Sequence, residues 1–429
     1  MNSVSRISFA SAVACIFISH ILPVSAAPET VLYSFCSQQN CADGAVPYSK
    51  LIQVNGILYG TTVYGGNGPC NNNGTPGCGT VYSIDPTTAK ETVLYSFCSQ
   101  QNCTDGETPF LGSLIFKDGT LYGTTDDVGS NNSGTVFALD LTTGRERVLY
   151  SFCSQTNCTD GENPLAGLFE LQGKLYGTTE SGGNTSCSGG CGTIFSVDPA
   201  TGREAVVYSF KGGNDGADPH AGLMYLDGNR TLYGTTFEGG GTGCGSFGCG
   251  TVYSLDPRTD TESVVYSFCS QKNCADGSEP DEGSLVDVEG WLYGTTSEGG
   301  AGDCNDYGCG TVFYLDPATG ALRVQFSFAG YPSDGEYPVA GLIQRTETMY
   351  GTTDLGGTQN SGTLFSFGRG SLKDDVFYSF CSQQNCTDGE YPFSGVASVN
   401  RSLYGTTSAG GTSTGCSGSG CGTVFVFQP

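Results

Sequence analysis

Histidine is nearly missing from this chain: of 429 residues, only His20 and His220 carry an imidazole. That scarcity excludes multi-histidine zinc, copper and iron sites, and any Ser-His-Asp triad must draw on one of these two. Tryptophan occurs once, at Trp291, which argues against the aromatic platforms that stack sugars or quinones. Lysine and arginine total 17 against 42 aspartates and glutamates, a formal net charge of -25. So few cations cannot line a phosphate backbone, so nucleic acid is excluded as a partner, and cations or cationic surfaces match better. Beyond the first 27 residues there is neither a helical apolar period nor an apolar run long enough to span a membrane.

The N-terminus itself reads as an export signal over residues 1–27. Arg6 supplies a basic start, Ile7 to Ile21 is mostly apolar, and Val24-Ser25-Ala26 offers small residues for cleavage. Residues 28–429 are then expected as one exported domain, periplasmic, secreted or on the cell surface. Cleavage removes His20 and Cys15, leaving His220 as the single histidine and 20 of the 21 cysteines.

Those cysteines fall into ten close pairs. Five have the form Cys-Ser-Gln-x-Asn-Cys: Cys36/Cys41, Cys98/Cys103, Cys153/Cys158, Cys269/Cys274 and Cys381/Cys386. Five lie in Gly-rich segments: Cys70/Cys78, Cys187/Cys191, Cys244/Cys249, Cys304/Cys309 and Cys416/Cys421. Where one partner is missing, as in Lys211-Gly-Gly-Asn-Asp215, both are. A four-cysteine zinc site would need the two kinds of pair to occur together in adjacent loops, and they do not. The pattern predicts ten local disulfides and no metal. Each closes a short loop and contributes roughly 2 kcal/mol in the chain-entropy account, so they staple loops more than they hold the fold.

What is abundant is a repeat. Leu-Tyr-Gly-Thr-Thr, once with Met for Leu, recurs with its tyrosines at Tyr59, Tyr122, Tyr176, Tyr233, Tyr293, Tyr350 and Tyr404. Between copies lie short runs rich in Val, Leu, Tyr, Phe and Thr, bounded by Gly, Asp, Asn or Pro, which read as four antiparallel strands per unit. In Val148-Leu-Tyr-Ser-Phe152 and Thr135-Val-Phe-Ala-Leu139 apolar residues occupy both faces, as in a sheet packed between two neighbours. Seven such units predict an all-β, seven-bladed β-propeller, with a parallel solenoid as the rival. The ends favour the ring: the chain opens on a fourth-strand sequence, Thr30-Val-Leu-Tyr-Ser-Phe35, and finishes on a third-strand one, Gly422-Thr-Val-Phe-Val-Phe427. Their pairing closes a propeller and leaves no bare edge.

Leu-Tyr-Gly-Thr-Thr, the Gly-Gly loop, Gly-Cys-Gly-Thr-Val-Phe-x-Leu-Asp-Pro and Val-Leu-Tyr-Ser-Phe together resemble the Gloeo/Verruco tandem repeat over almost all of residues 30–429. Strand order is similar to kelch repeats, although the Gly-Gly falls after Tyr-Gly-Thr-Thr and the usual Trp is absent. The resemblance implies a propeller and an exported bacterial protein, and implies no activity.

Both kinds of cysteine loop leave a propeller blade on the same face, where ligands commonly bind. Seven Asp-Gly pairs, at Asp43, Asp105, Asp160, Asp215, Asp276, Asp334 and Asp388, also fall there. They read either as turn caps or as a carboxylate ring able to take calcium, with Glu107, Glu162, Glu336 and Glu390 adding to an acidic rim. Function is expected where the repeats differ. The residue after the Pro that opens the first strand is Tyr48, Phe110, Leu165, His220, Asp281, Val339 and Phe393 in turn. Of these, Tyr48, Phe110, His220, Asp281 and Phe393 are the candidate ligand-binding residues, and His220, Asp281 and Glu282 form the one acid/base constellation. The leading expectation is a binding or surface-interaction module for an extracellular protein or glycan, without a cofactor. The alternatives are a hydrolase or lyase using those three residues, and a calcium-dependent adhesion or structural protein.

Overall fold

The computed structural model describes residues 29–429 apart from Asn73, Thr242 and Ser417, so the expected export signal lies outside the described residues. Seven four-stranded antiparallel sheets stand around a central channel as a β-propeller. Blade 1 comprises Ile52–Val54, Ile57–Thr62, Thr80–Asp85 and Lys90–Ser96. Its innermost strand has three residues and its outermost seven. Blade 7 takes Ala397–Val399, Ser402–Thr407 and Thr423–Phe427 from the C-terminus and Thr30–Ser34 from the N-terminus. Thr30 lies opposite Val426 and Ser34 opposite Thr423, so the two ends close the ring as expected.

The repeated pentapeptide is a packing device. Its glycine faces the aromatic residue of the neighbouring third strand, and an added Cβ would come within 2.6 Å of the Tyr82 hydroxyl at Gly60 and of Phe195 Cζ at Gly177. The glycine therefore makes room for a ring, where sequence reasoning alone suggests a close backbone or a bulge. That ring in turn meets the Phe ending the previous blade's fourth strand. The pairs Phe35–Tyr82, Phe97–Phe137, Phe152–Phe195, Phe210–Tyr253, Phe268–Phe313, Phe328–Phe365 and Phe380–Phe425 have centroids 4.8–5.1 Å apart. All seven are tilted or edge-to-face, the arrangement the ring quadrupole favours, and each pair spans a blade-to-blade seam.

The two threonines divide the remaining work. The second shares a hydrogen bond with the first threonine of the third strand, as in Thr62–Thr80 at 2.8 Å and Thr179–Thr193 at 2.9 Å. The first reaches across the seam: Thr124 donates to the Ala166 carbonyl, Thr178 to Ala221 and Thr352 to Ser394. The motif thus pairs most of its buried hydroxyls, that of Thr235 excepted, while stitching strand to strand and blade to blade.

Carboxyl groups occupy the outer part of the same seams. Asp43, Asp105, Asp160, Asp276 and Asp388 are fully buried. Asp43 accepts bonds from the Ser37 and Gln38 N–H groups and the Ser37 and Tyr33 hydroxyls, and the other four repeat the pattern. These aspartates cap the Cys-Ser-Gln-x-Asn-Cys turns from inside. Six of the seven blades bring a second acid toward the Asp-Gly aspartate that leads into them: Glu29, Glu91, Glu146, Glu204, Glu262 and Asp374, each with a buried oxygen lacking any hydrogen-bond partner. Burial first, then the neighbouring aspartate, pushes Glu91, Glu146, Glu204, Glu262 and Asp374 up to about 7 and Glu29 to about 8.

A carboxyl whose folded value is raised binds more protons folded than unfolded between the two values, so stability falls as pH climbs through that window. Partial exposure discounts each contribution. The protein should melt higher at pH 5 than at pH 8 by on the order of 5 °C. Replacing Glu204 and Glu262 with Gln should flatten that slope, as read by circular dichroism. A Tm that rises between pH 5 and 8 would contradict the seam carboxyls.

Candidate functional site at the channel mouth

Ten disulfides join the pairs expected from the sequence. In the Cys-Ser-Gln-x-Asn-Cys loops Cys36 bonds Cys41, Cys98 bonds Cys103, Cys153 bonds Cys158, Cys269 bonds Cys274 and Cys381 bonds Cys386. In the Gly-rich loops Cys70 bonds Cys78, Cys187 bonds Cys191, Cys244 bonds Cys249, Cys304 bonds Cys309 and Cys416 bonds Cys421. The bridges do more than staple loops, and Cys103 and Cys309 show where the expectation from sequence falls short. Cys309 is fully buried in the apolar core that holds Val312 and Phe328, and Cys103 packs against the core around Cys78 and Phe97. Their backbones take part too: the Cys103 carbonyl accepts from the Gly106 and Gly129 N–H groups, and the Cys309 carbonyl from Tyr337 N–H. A half-cystine is small and apolar, so it can close a loop and fill the end of a seam together.

The loop entering each blade is bridged to that blade's second-to-third-strand loop, as in Ala45 with Tyr64, Glu162 with Ser181, Ala217 with Glu238 and Glu390 with Ala409. One stapled face therefore surrounds the channel mouth.

At the inner edge of that face each blade turns through a non-glycine residue in the left-handed region: Val46, Thr108, Asn163, Asp218, Glu279, Tyr337 and Tyr391, with φ between 49° and 59°. For Val and Thr this is a strained conformation. Two backbone bonds hold it: the Asp218 N–H donates to the Cys191 carbonyl, and the Asp218 carbonyl accepts from Phe237 N–H, both close to 3 Å. Because the backbone is fixed by its own bonds, the side chain at this position is free to differ from blade to blade.

The structure sorts the sequence candidates into two groups. Tyr48 meets both Phe110 and Phe393 with centroids 4.8 Å apart, an aromatic wall from blades 7, 1 and 2. Across the channel, His220 Nδ1 lies 2.7 Å from Asp281 Oδ1, so the polar residues of blades 4 and 5 do meet. Leu165 is buried in blade 3.

Sequence comparison of the post-proline position missed the rest of the histidine's cage. His220 Nε2 lies 3.1 Å from Asp218 Oδ1, and its ring stacks on Phe237 at 4.8 Å and 15°. Burial pulls the imidazole's proton affinity down, but the bonds to Asp218 and Asp281 outweigh it and hold the value well above that of an ordinary histidine. A protonated ring donates both N–H groups to carboxylates and leaves no nitrogen free. The signal was present: the residues after Gly-Thr-Thr are Val63, Asp126, Glu180, Phe237, Ser297, Asp354 and Ser408. Like the residues before the prolines, these vary while everything around them repeats.

Acidic groups crowd the mouth around this cage. Asp126 and Asp354 are pushed up to about 7, by burial first and then by Asp127 and Asp281 respectively, and each keeps a buried oxygen without a partner. Glu282 is raised by burial and by Asp281, and Glu180 and Glu238 by burial and by Asp218. Beside the cage, the Lys211–Asp215 turn replaces a Cys-Ser-Gln-x-Asn-Cys loop, and a cleft of about 430 Å³ opens there. Glu180, Asp218, Glu238, Lys211 and the Cys187 loop line it, with Phe247 at its edge, 66% exposed. Trp291 begins a second strand at the opposite end of its blade, away from this face.

This geometry, with seven Tyr-Gly-Thr-Thr seams and paired cysteine loops, is that of a known repeat. The chain belongs to the Gloeobacter/Verrucomicrobia repeat family. Residues 22–247 and 188–425 match it in two overlapping stretches. No curated protein matches this family member in sequence. Among solved structures it is similar to an oligogalacturonate lyase in complex with manganese, at 12% identity and a TM-score of 0.50 over 94% of this chain and 96% of that one. It is also similar to a proposed 6-phosphogluconolactonase from Bacteroides uniformis, at 13% identity and 0.51 over 82% and 90%. At such identities the likeness is one of fold.

The cage has a direct spectroscopic test, because His220 is the one histidine after residue 20. Its ring resonances should titrate well above the ordinary histidine value and move down in Asp218→Asn and Asp281→Asn. Titration at or below the ordinary value would contradict the double carboxylate clamp.

Proposed function

We propose that this repeat protein is an exported binding module whose loop face captures a cationic protein segment bearing Lys or Arg side chains. The observation that carries this reading is the cleft left where blade 4 lacks its disulfide loop. Three carboxyl groups, Glu180, Asp218 and Glu238, line it beside the exposed ring of Phe247. Carboxylates paired with an aromatic face recognise guanidinium and ammonium groups by charge-assisted hydrogen bonds and cation–π contact. The raised carboxyls of the mouth support the same reading, since a bound cation favours their ionised forms. Stapled loops hold this surface in one conformation and so reduce the ordering cost of binding.

A hydrolase or lyase built on His220, Asp281 and Glu282 fits the geometry less well, because both imidazole nitrogens are engaged and a general base needs one free. The lyase and the proposed lactonase that share the fold do not add support, being similar in architecture alone.

Calorimetry with an eight-residue Lys/Arg-rich peptide tests the proposal. At pH 6 and low salt the peptide should bind with proton release, weaken about tenfold on moving to 0.5 M salt, and weaken at least about fivefold in Phe247→Ala and in Glu180→Gln/Glu238→Gln. Absence of binding at low salt would overturn the reading, as would unchanged affinity in both variants. Saturable calcium binding in place of the peptide would also overturn it and favour the calcium-dependent alternative.

A further inference from the structure

The chain enters the first strand of blades 2 to 7 through Pro-x-x-Gly, and the residue just before the first buried Leu or Val of that strand lies at the narrow part of the channel: Gly167, Gly222, Gly341 and Gly395 in blades 3, 4, 6 and 7. Backbone crowds these positions. A Cβ on Gly167 would lie 3.0 Å from the Ser113 N and O atoms, and one on Gly395 would lie 2.7 Å from the Gly341 carbonyl oxygen. Blade 1 breaks the rule and places Lys50 there. Blades 2 and 5 have one extra residue between the proline and this position and place Ser113 and Ser284 there.

These departures come from three separate blades and meet in one place. Lys50, Ser113, Ser284 and Glu282 line a single cavity of about 190 Å³, bounded toward the mouth by Tyr48 and Phe393. Ser113, Ser284 and Glu282 also line the adjoining cavity of about 120 Å³ that reaches His220. The Lys50 ammonium has no ion pair or hydrogen bond with any described residue, and burial alone brings its value down to about 8. A half-buried side chain that brings an ammonium without a partner to this cavity is unusual, and four blades show that the fold does not need a side chain there.

We propose that this cavity is a binding site for a small hydroxylated carboxylate, its carboxylate on the Lys50 ammonium and its hydroxyls on Ser113, Ser284 and the Glu282 carboxyl. At about 30 Å³ per water the cavity has room for about six waters, which suits a single acidic sugar ring or a hydroxy acid of that size. The single positive charge supplies the attraction, and Glu282, whose proton affinity burial and Asp281 raise, donates a hydrogen bond in its protonated form. The site stands apart from the acidic cleft, which lies outside the channel and uses none of these four residues.

Sodium glucuronate and glucose, which share a ring and differ by a carboxylate, are suitable probes for calorimetry on the full protein. Glucuronate should bind at pH 6.5 at least tenfold tighter than glucose and lose that advantage by pH 9.5, as the ammonium deprotonates. Lys50→Gly, which supplies the residue of blades 3, 4, 6 and 7, should bring glucuronate to the level of glucose at unchanged Tm. Lys50→Arg should retain binding, and Ser113→Ala/Ser284→Ala should weaken both sugars. Equal binding of the two sugars, undiminished glucuronate binding by Lys50→Gly, or no saturable binding up to 50 mM glucuronate would overturn the site.

Discussion

An aromatic ring seated on a glycine, with a phenylalanine from the previous blade against its other side, is the contact on which this structure depends. Each blade has apolar side chains on both faces and cannot stand alone in water. The seven ring pairs fill the seams, and each requires the glycine of Tyr-Gly-Thr-Thr to leave its space open. One residue type on one strand thereby fixes the spacing of neighbouring blades all the way round. Phe35, which follows the closing N-terminal strand, packs on Tyr82 of blade 1. The same contact that joins internal blades therefore also seals the ring where the chain ends meet.

Once the seams carry the fold, the rims are free to vary, and the departures from symmetry are concentrated there. The mouth has an aromatic side around Tyr48 and an acidic side around the His220 cage. The acidic cleft exists because one disulfide loop is replaced by a shorter turn, and the channel cavity exists where lysine and two serines stand in place of the glycine of the other four blades. Acidity serves two purposes in this arrangement. In the outer seams, second carboxyls whose proton affinity burial raises tie stability to mildly acidic conditions. At the mouth, crowded carboxyls form a surface suited to a positive ligand.

Much of this was legible in the sequence because repetition makes local chemistry readable. Strand runs, disulfide partners and closure by the chain ends follow from comparing one unit with the next. What the cysteines pack against does not: spacing pairs Cys304 with Cys309, but only the fold carries Cys309 into the core beside Phe328. The meeting of His220 with Asp281 followed from one variable position read around the ring. Asp218 and Phe237 escaped because they sit at two other variable positions, before the proline and after Gly-Thr-Thr, whose convergence on one imidazole is a property of the turn geometry. Lys50 escaped because the serine insertions in blades 2 and 5 shift the numbering of the Pro-x-x-Gly segment. Of the two readings open for the Asp-Gly carboxylates, turn caps and a calcium-binding ring, the structure bears out the caps: in five blades they are buried and accept from the turn they close.

Native-state hydrogen exchange at the amides of Thr30–Ser34 and Thr423–Phe427 tests the closed, seam-dependent ring most directly. If the termini complete blade 7, those amides should exchange only through global unfolding, with the same protection as the central strand Thr251–Asp256 of blade 4. Rapid exchange of the terminal pair while blade 4 stays protected would contradict closure and describe an open array of blades.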